Sequence, residues 1–339
     1  MEDSNQYPPG RGLPALCRSV ADHDRRFYGL DVGPANVLVT VGATEALAAS
    51  MMALANPGDE AVIFEPAYDS YRPIFEGMGV TVRAVQLSPP EWAFTAADLD
   101  RVFTDKTRVV VLNTPMNPVG KVFSRAELDL IADYAKKHDC YVICDEVYEH
   151  IVFDDAVHLP LMTLPGMMER TVRIGSAGKT FSLTGWKIGY VTGPEVLIDV
   201  ITKVHQFLVF TVAPNLQKAV AHGLGFGDEY YRSLAADMQV KRDRLRGRLE
   251  AIGFTIPPVQ GTYFLTADYS ALLSGEASGE GSDEFCRRIT TEAGVAAIPL
   301  SPFYGDAPDI PLVRFCFSKQ DAVIDEGADR LARYFSGRR

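Results

Sequence analysis

The segment Thr171 to Tyr190 reads TVRIGSAGKTFSLTGWKIGY. Thr171, Val172 and Ile174 form a short β-prone run that stops at Gly175. The small residues Ser176, Ala177 and Gly178 then make a turn, so Lys179 is delivered at the end of a strand. A lone lysine in that place ordinarily points into water, because lysines are rarely buried. A second lysine alters the reading. Lys187 lies within Thr184-Gly185-Trp186-Lys187-Ile188-Gly189, where flanking glycines let the backbone approach another group closely.

Upstream of this segment, strand and helix patterns alternate. Leu13 to Phe27 has helical spacing, Asn36 to Val41 reads as a strand, and Thr44 to Ala55 as a helix with Thr44 at its N-cap. The strand-turn-helix junction at Gly42-Ala43-Thr44 offers free N–H groups and a helix dipole to an anion, which makes Ala43 and Thr44 candidates for holding a phosphate. Strands follow at Ala61 to Phe64, Val80 to Val85, Thr107 to Leu112 and Tyr141 to Cys144, with helices at Asp69 to Gly77, Ala96 to Val102 and Ser124 to His138 between them. Ser124 with Glu127 three residues on is a capping box. Such alternation predicts an α/β fold, a mostly parallel sheet with helices on both faces and ligands at the carboxyl ends of the strands. Asn113 to Gly120, Asp145 to Tyr148 and Lys179 all fall at those ends.

Downstream, Val196 to Phe207 continues as helix, Pro214 suits a helix start, and Asp228 to Ile252 is a long charged helix fit to join two domains. Phe254 to Ile256, Gly261 to Ala267, Val295 to Ile298 and Leu312 to Phe317 are strand-like, a helix is expected near Asp283 to Ala293, and Ser274 to Ser282 reads as a flexible polar loop. In Val313-Arg314-Phe315-Cys316-Phe317, alternation sends Arg314 to the face opposite Val313, Phe315 and Phe317.

The chain has 339 residues, more than one hydrophobic core usually spans, so two domains are expected. Its formal charge of -11 argues against a nucleic-acid partner, which needs clustered Lys and Arg. Its apolar stretches are interrupted, so no membrane span is expected, and Met1 to Gly12 is too polar for a secretory segment. The five cysteines, Cys17, Cys140, Cys144, Cys286 and Cys316, lack ligand spacing and read as free thiols of a cytoplasmic protein with no metal site.

The paired lysines with their Ser and Gly spacing resemble the pyridoxal-phosphate lysine signature of the class I/II aminotransferases. Gly42-Ala43-Thr44-Glu45-Ala46, Asn113-Thr114-Pro115-Met116-Asn117-Pro118-Val119-Gly120, Asp145-Glu146-Val147-Tyr148 and Val313-Arg314-Phe315 fall in that family's order and spacing. The resemblance runs from Asn5 to Tyr334 and is greatest to the branch holding kynurenine/glutamine, methionine and succinyl-diaminopimelate aminotransferases. It implies a fold type I transferase, with 1–30 a remnant of the N-terminal segment, 31–225 a large cofactor-binding domain and 226–339 a small C-terminal α+β domain.

The resemblance further implies that Lys179 carries pyridoxal 5'-phosphate covalently and acts as general base and acid in transamination between an L-amino acid and a 2-oxo acid. Asp145 pairs with the cofactor ring nitrogen, Asn117 and Tyr148 with its phenolic oxygen, and Tyr68 stacks on the ring. Gly42, Ala43, Thr44, Ser176 and Lys187 hold the phosphate, joined by Tyr7 from the other subunit of a homodimer. Lys187 stands where many members carry arginine, which keeps the charge but not the bidentate fork. Arg314 clamps the substrate carboxylate beside Asn117, and Tyr263, Phe210 and Tyr304 form pocket walls, while Thr211 stands where kynurenine-type enzymes often carry histidine. β-Elimination from cysteine conjugates on the same scaffold is the alternative, as is a non-catalytic paralogue. Members of the family carry a longer N-terminal arm with a glycine-bearing loop, so this resemblance predicts a missed start, a fragment or a partly open site.

Overall fold

The structure, a computed structural model, describes residues 5–273, 279–306, 308 and 310–336. Chain order opens with helix α1 (Pro14–Tyr28), strand β1 (Val37–Val41) and helix α2 (Gly42–Leu54). Then come β2 (Glu60–Glu65), α3 (Tyr71–Gly77), β3 (Thr81–Gln86), α4 (Ala96–Val102), β4 (Thr107–Asn113), α5 (Arg125–Lys137) and β5 (Tyr141–Asp145). β6 (Thr171–Ser176), the one-turn helix α6 (Ala177–Thr180) and β7 (Ile188–Thr192) complete a seven-stranded sheet in the order β1-β7-β6-β5-β4-β2-β3.

Strands β2 to β6 pair in parallel, and β7 runs antiparallel to both β1 and β6. Parallel strands covered on both faces must be apolar throughout, and Val109, Val110, Val111 and Leu112 of β4 are all buried. β7 falls within the opening segment of the sequence reading, yet alternation did not mark it as a strand. Lys187, in the left-handed region at φ 54°, reverses the chain into it.

Two junctions differ from expectation in ways that matter for the site. α2 starts at Gly42, so Thr44 is its third residue and not its N-cap, and Val41 takes that position with no side-chain cap. The turn can begin early because Gly42 adopts φ +73°, open to glycine at little cost. Likewise, Ser176 belongs to β6, and Ala177 and Gly178 coil into α6, so Lys179 sits on a helical turn and not directly after a strand. The α5 cap is as read: Ser124 Oγ accepts from Glu127 N–H at 3.3 Å while Glu127 Oε2 accepts from Ser124 N–H at 2.8 Å.

After α7 (Glu195–Leu208), α8 (Pro214–Leu224) and the 25-residue α9 (Asp228–Ile252), a smaller three-stranded antiparallel sheet forms in the order β8-β10-β9. Its strands are β8 (Phe264–Asp268), β9 (Ile298–Pro299) and β10 (Leu312–Cys316), packed with α10 (Ser282–Arg288) and the terminal α11 (Asp321–Ser336). Phe254 to Ile256, just after the Gly253 cap of α9, makes only a single bridge, Thr255 to Asp268. Of the polar loop read at 274–282, residues 274–278 lie outside the described residues. One continuous apolar cluster includes Leu38, Ile63 and Val109 from the large sheet and Leu265, Val313 and Phe315 from the small one. No helix among the described residues is long and apolar enough to cross a membrane.

Candidate active site

A cavity of about 280 Å³ opens at the carboxyl ends of β4, β5 and β6, between the large sheet and the small one. Gly42, Ala43, Thr44, Tyr68, Asn117, Asp145, Tyr148, Ser176, Lys179, Lys187 and Arg314 line it, together with Phe264 and Gly178. Eleven of the twelve residues expected to bind cofactor or substrate directly therefore meet around one space. Tyr7 is the exception. It is 81% exposed and packs edge-on against Phe210 at 5.1 Å between ring centroids.

One end of the cavity is a cradle for an anion. The uncapped N-terminus of α2 contributes its first turn, and the Lys187 side chain lies across it: a Cβ on Gly42 would sit 3.3 Å from Lys187 Cε and Nζ. Gly178 is similarly hemmed in, since a Cβ there would come within 3.0 Å of Thr184 Cα and 3.4 Å of Ser176 Oγ. Side chains at either position would fill the cradle.

The cavity floor holds Asp145, the last residue of β5. Burial pushes its carboxyl up to about 6, opposed by a hydrogen bond in which Tyr71 Oη donates to Oδ2 at 2.5 Å. Asn113 fixes the neighbouring loop, its Nδ2 donating to the Asp145 carbonyl at 2.8 Å and its Oδ1 accepting the Asn117 N–H at 2.7 Å. Neither Tyr71 nor Asn113 was assigned a role from the sequence. Tyr71 carried a signal nonetheless, as the second tyrosine in Tyr68-x-x-Tyr71 at the start of a helix, where spacing of three puts both on one side.

Lys179 Nζ donates to Tyr263 Oη at 2.7 Å and stands 5.5 Å from the Tyr148 ring centroid. Burial, and then the neighbouring Tyr263, push the Tyr148 phenol well above its ordinary value, so it stays protonated. Arg314 points from β10 into the same space, off the face that buries Val313 and Phe315, as alternation predicted. Its Nη1 donates to Asn117 Oδ1 at 2.7 Å, and its guanidinium lies 4.0 Å over Phe264 and 5.1 Å from the Phe303 ring. The Phe264 contact was not legible, because it depends on β8 pairing with β10.

Two expected pocket walls are elsewhere. Tyr304 is buried with its hydroxyl on the Leu87 carbonyl at 3.1 Å, and Phe210 lies at the surface with Tyr7. Both sit on segments whose direction the local pattern does not set.

The sequence profile described as aminotransferase class I and II matches residues 1–331. A probable N-succinyldiaminopimelate aminotransferase of Mycobacterium tuberculosis is 43% identical, over 97% of this chain and 84% of that protein. Kynurenine–oxoglutarate transaminase 3 of Mus musculus is 38% identical, over 100% of this chain and 80% of that protein. A solved Escherichia coli structure, described with a methionine aminotransferase function, superposes with a TM-score of 0.93 at 39% identity, covering 98% of this chain and 86% of that one. With its lysine, carboxylate and arginine gathered around one cavity of a fold shared with these relatives, the chain belongs to the class I and II aminotransferases, fold type I enzymes that move amino groups with pyridoxal phosphate.

Proposed function

We propose that the cavity holds pyridoxal 5'-phosphate on Lys179, and that the chain passes the amino group of an L-amino acid to a 2-oxo acid in two half-reactions at this one site. The residues present fit the group: an anion cradle kept open by Gly42 and Gly178, a buried carboxylate and an amine all line one cavity. When bound, the cofactor supplies an electron sink for the pair released as a substrate Cα–H bond breaks.

In this reading Lys187, Ser176 and the first turn of α2 hold the phosphate. Asp145 would hold a proton on the ring nitrogen, and the opposite charge there would offset the cost of burying its carboxylate. Tyr148, kept protonated, donates to the phenolic oxygen, with Asn117 beside it, and Tyr68 covers the ring face. Arg314 binds the substrate α-carboxylate through its planar fork, oriented by Asn117 and Phe264. Lys179 Nζ would take the substrate Cα proton and return it, and Tyr263 Oη, which accepts a hydrogen bond from that amine, would hold it in place between transfers. The same residues serve both half-reactions, so donor and acceptor are bound in turn.

The finer assignments follow from the same reading. The division at 225 separates the cofactor-holding part from the part that carries Arg314. The functional unit is a homodimer in which Tyr7 reaches the partner's phosphate, and its exposure beside Phe210 supports a role at an interface. The cytoplasm is the proposed compartment, on the strength of five free cysteines.

The observation that carries the reading is the convergence of Lys179 of α6, Asp145 of β5 and Arg314 of β10 on one cavity. Protein reconstituted with pyridoxal phosphate is expected to show a visible absorption band that is absent in Lys179→Ala, and to convert amino donors such as methionine, kynurenine or N-succinyl-diaminopimelate with a 2-oxo acid. A wild-type protein with no such band in excess cofactor would overturn it.

A further inference from the structure

A second polar centre lies buried behind the active-site loop. Arg173 of β6 is ion-paired with Asp24 of α1, with Glu146 at 2.8 Å and with Glu149, and all four side chains are at most 1% exposed. One guanidinium against three carboxylates leaves a formal charge of -2. Buried charge in that amount calls for cations, since desolvated and unpaired charge is costly. Three histidines border the group: His158 meets Glu146 at 3.2 Å, while His23 and His150 face each other with Nε2 atoms 2.7 Å apart. Several buried atoms here have no hydrogen-bond partner, including Glu149 Oε1, Asp24 Oδ2 and Glu146 Oε1.

We propose that His23, Glu149 and His150 form a binding site for a zinc-class divalent cation that ties α1 to the turn following β5. Ligand atoms of the three residues lie within 4.8 Å of one another. Two imidazoles and a carboxylate are a donor set for zinc, with a fourth position left to solvent. His23 is oriented as a metal ligand is, for its Nδ1 lies 3.3 Å from Asp24 Oδ1, and a proton there leaves the Nε2 lone pair aimed at His150. His150 presents its Nε2 to the same space, 2.7 Å from His23 Nε2. Glu149 commits Oε2 to Tyr28 at 2.5 Å and to Arg173, which leaves Oε1 for the ion. Ligands at about 2.0 Å in a tetrahedron stand about 3.3 Å apart, so the two rings part by roughly 0.6 Å to admit zinc. His150, with 9% of its surface exposed, marks the way in.

The expectation from sequence was of no metal site, because it searched for close ligand spacing; these two histidines are separated by 126 intervening residues and only the α1 packing brings them together. The proposal is independent of the transamination reading, and its test does not use activity. Full-length protein carrying its cofactor is incubated with zinc chloride, desalted and assayed for metal by mass spectrometry, beside His150→Gln and His23→Gln. Wild type is expected to retain one zinc per chain and each variant at least tenfold less, with a rise in Tm on zinc addition in wild type only. Cobalt(II) loaded into wild type should give ligand-field bands of tetrahedral intensity, a readout that needs no variant to fold. Wild type that retains no zinc and gives no such bands, or variants that retain as much zinc as wild type, would overturn the site and leave a histidine pair joined by an N–H···N hydrogen bond.

Discussion

Arg314 and Asp145 show how much a single side chain carries. Arg314 donates to Asn117 and stacks on Phe264, and among the described residues its remaining donors are left for a substrate carboxylate. Arg314→Ala is expected to raise KM for amino acids and lower kcat/KM by roughly 2–4 kcal/mol, with cofactor affinity little changed. Steady-state kinetics beside a cofactor titration separates the two, and an unchanged kcat/KM would remove the carboxylate role. For Asp145 the sign runs toward acid. A carboxyl whose folded pKa is raised to about 6 binds its proton more tightly when folded than unfolded, so cofactor-free protein loses stability as pH rises from about 4 to about 6. The loss amounts to about 3 kcal/mol at most. Asp145→Asn should abolish this trend, and urea unfolding of both proteins across that range checks it.

At the level of elements, the site depends on close approach between β7 and the start of α2. A Cβ on Gly189 would lie 2.6 Å from the Gly42 carbonyl carbon and 2.8 Å from Ala43 N, both backbone atoms that cannot swing aside. Gly189→Ala must therefore push the α2 turn away from Lys187. It is expected to cost about 1–3 kcal/mol in stability and to weaken pyridoxal-phosphate affinity by at least tenfold. Equilibrium dialysis with the cofactor is the check, and an unaltered affinity would show that this turn does not hold the phosphate. The same junction marks where local reading stopped. Ser124 capped α5 as expected, because a capping box is complete within four residues. Thr44 did not cap α2, because Gly42 could turn at positive φ and the pressure of β7 beneath it was invisible in the local pattern.

For the molecule as a whole, Phe207 is 86% exposed, and Leu208, Val209, Phe210 and Tyr7 extend the same apolar surface. Large exposed apolar patches mark interfaces. Sedimentation is expected to find a dimer that Phe207→Asp shifts toward monomer, and dilution should release cofactor if Tyr7 acts across subunits. A monomer that keeps its cofactor would end that role. The order of elements from α1 to β6, the placing of Asn117 beyond β4 and of Asp145 at the end of β5, and the side of β10 that carries Arg314 were all determined by the sequence alone, since each rests on periodicity, turn chemistry or a motif that is complete within a few residues. Only the tertiary structure decided that Tyr71 meets Asp145, that Tyr263 holds Lys179, that Tyr304 turns away from the cavity, and that Arg173 gathers Asp24, Glu146 and Glu149 beside His23 and His150. Those contacts join residues far apart in the chain, and their geometry is set by how sheets and helices pack against one another, which no local window of sequence contains.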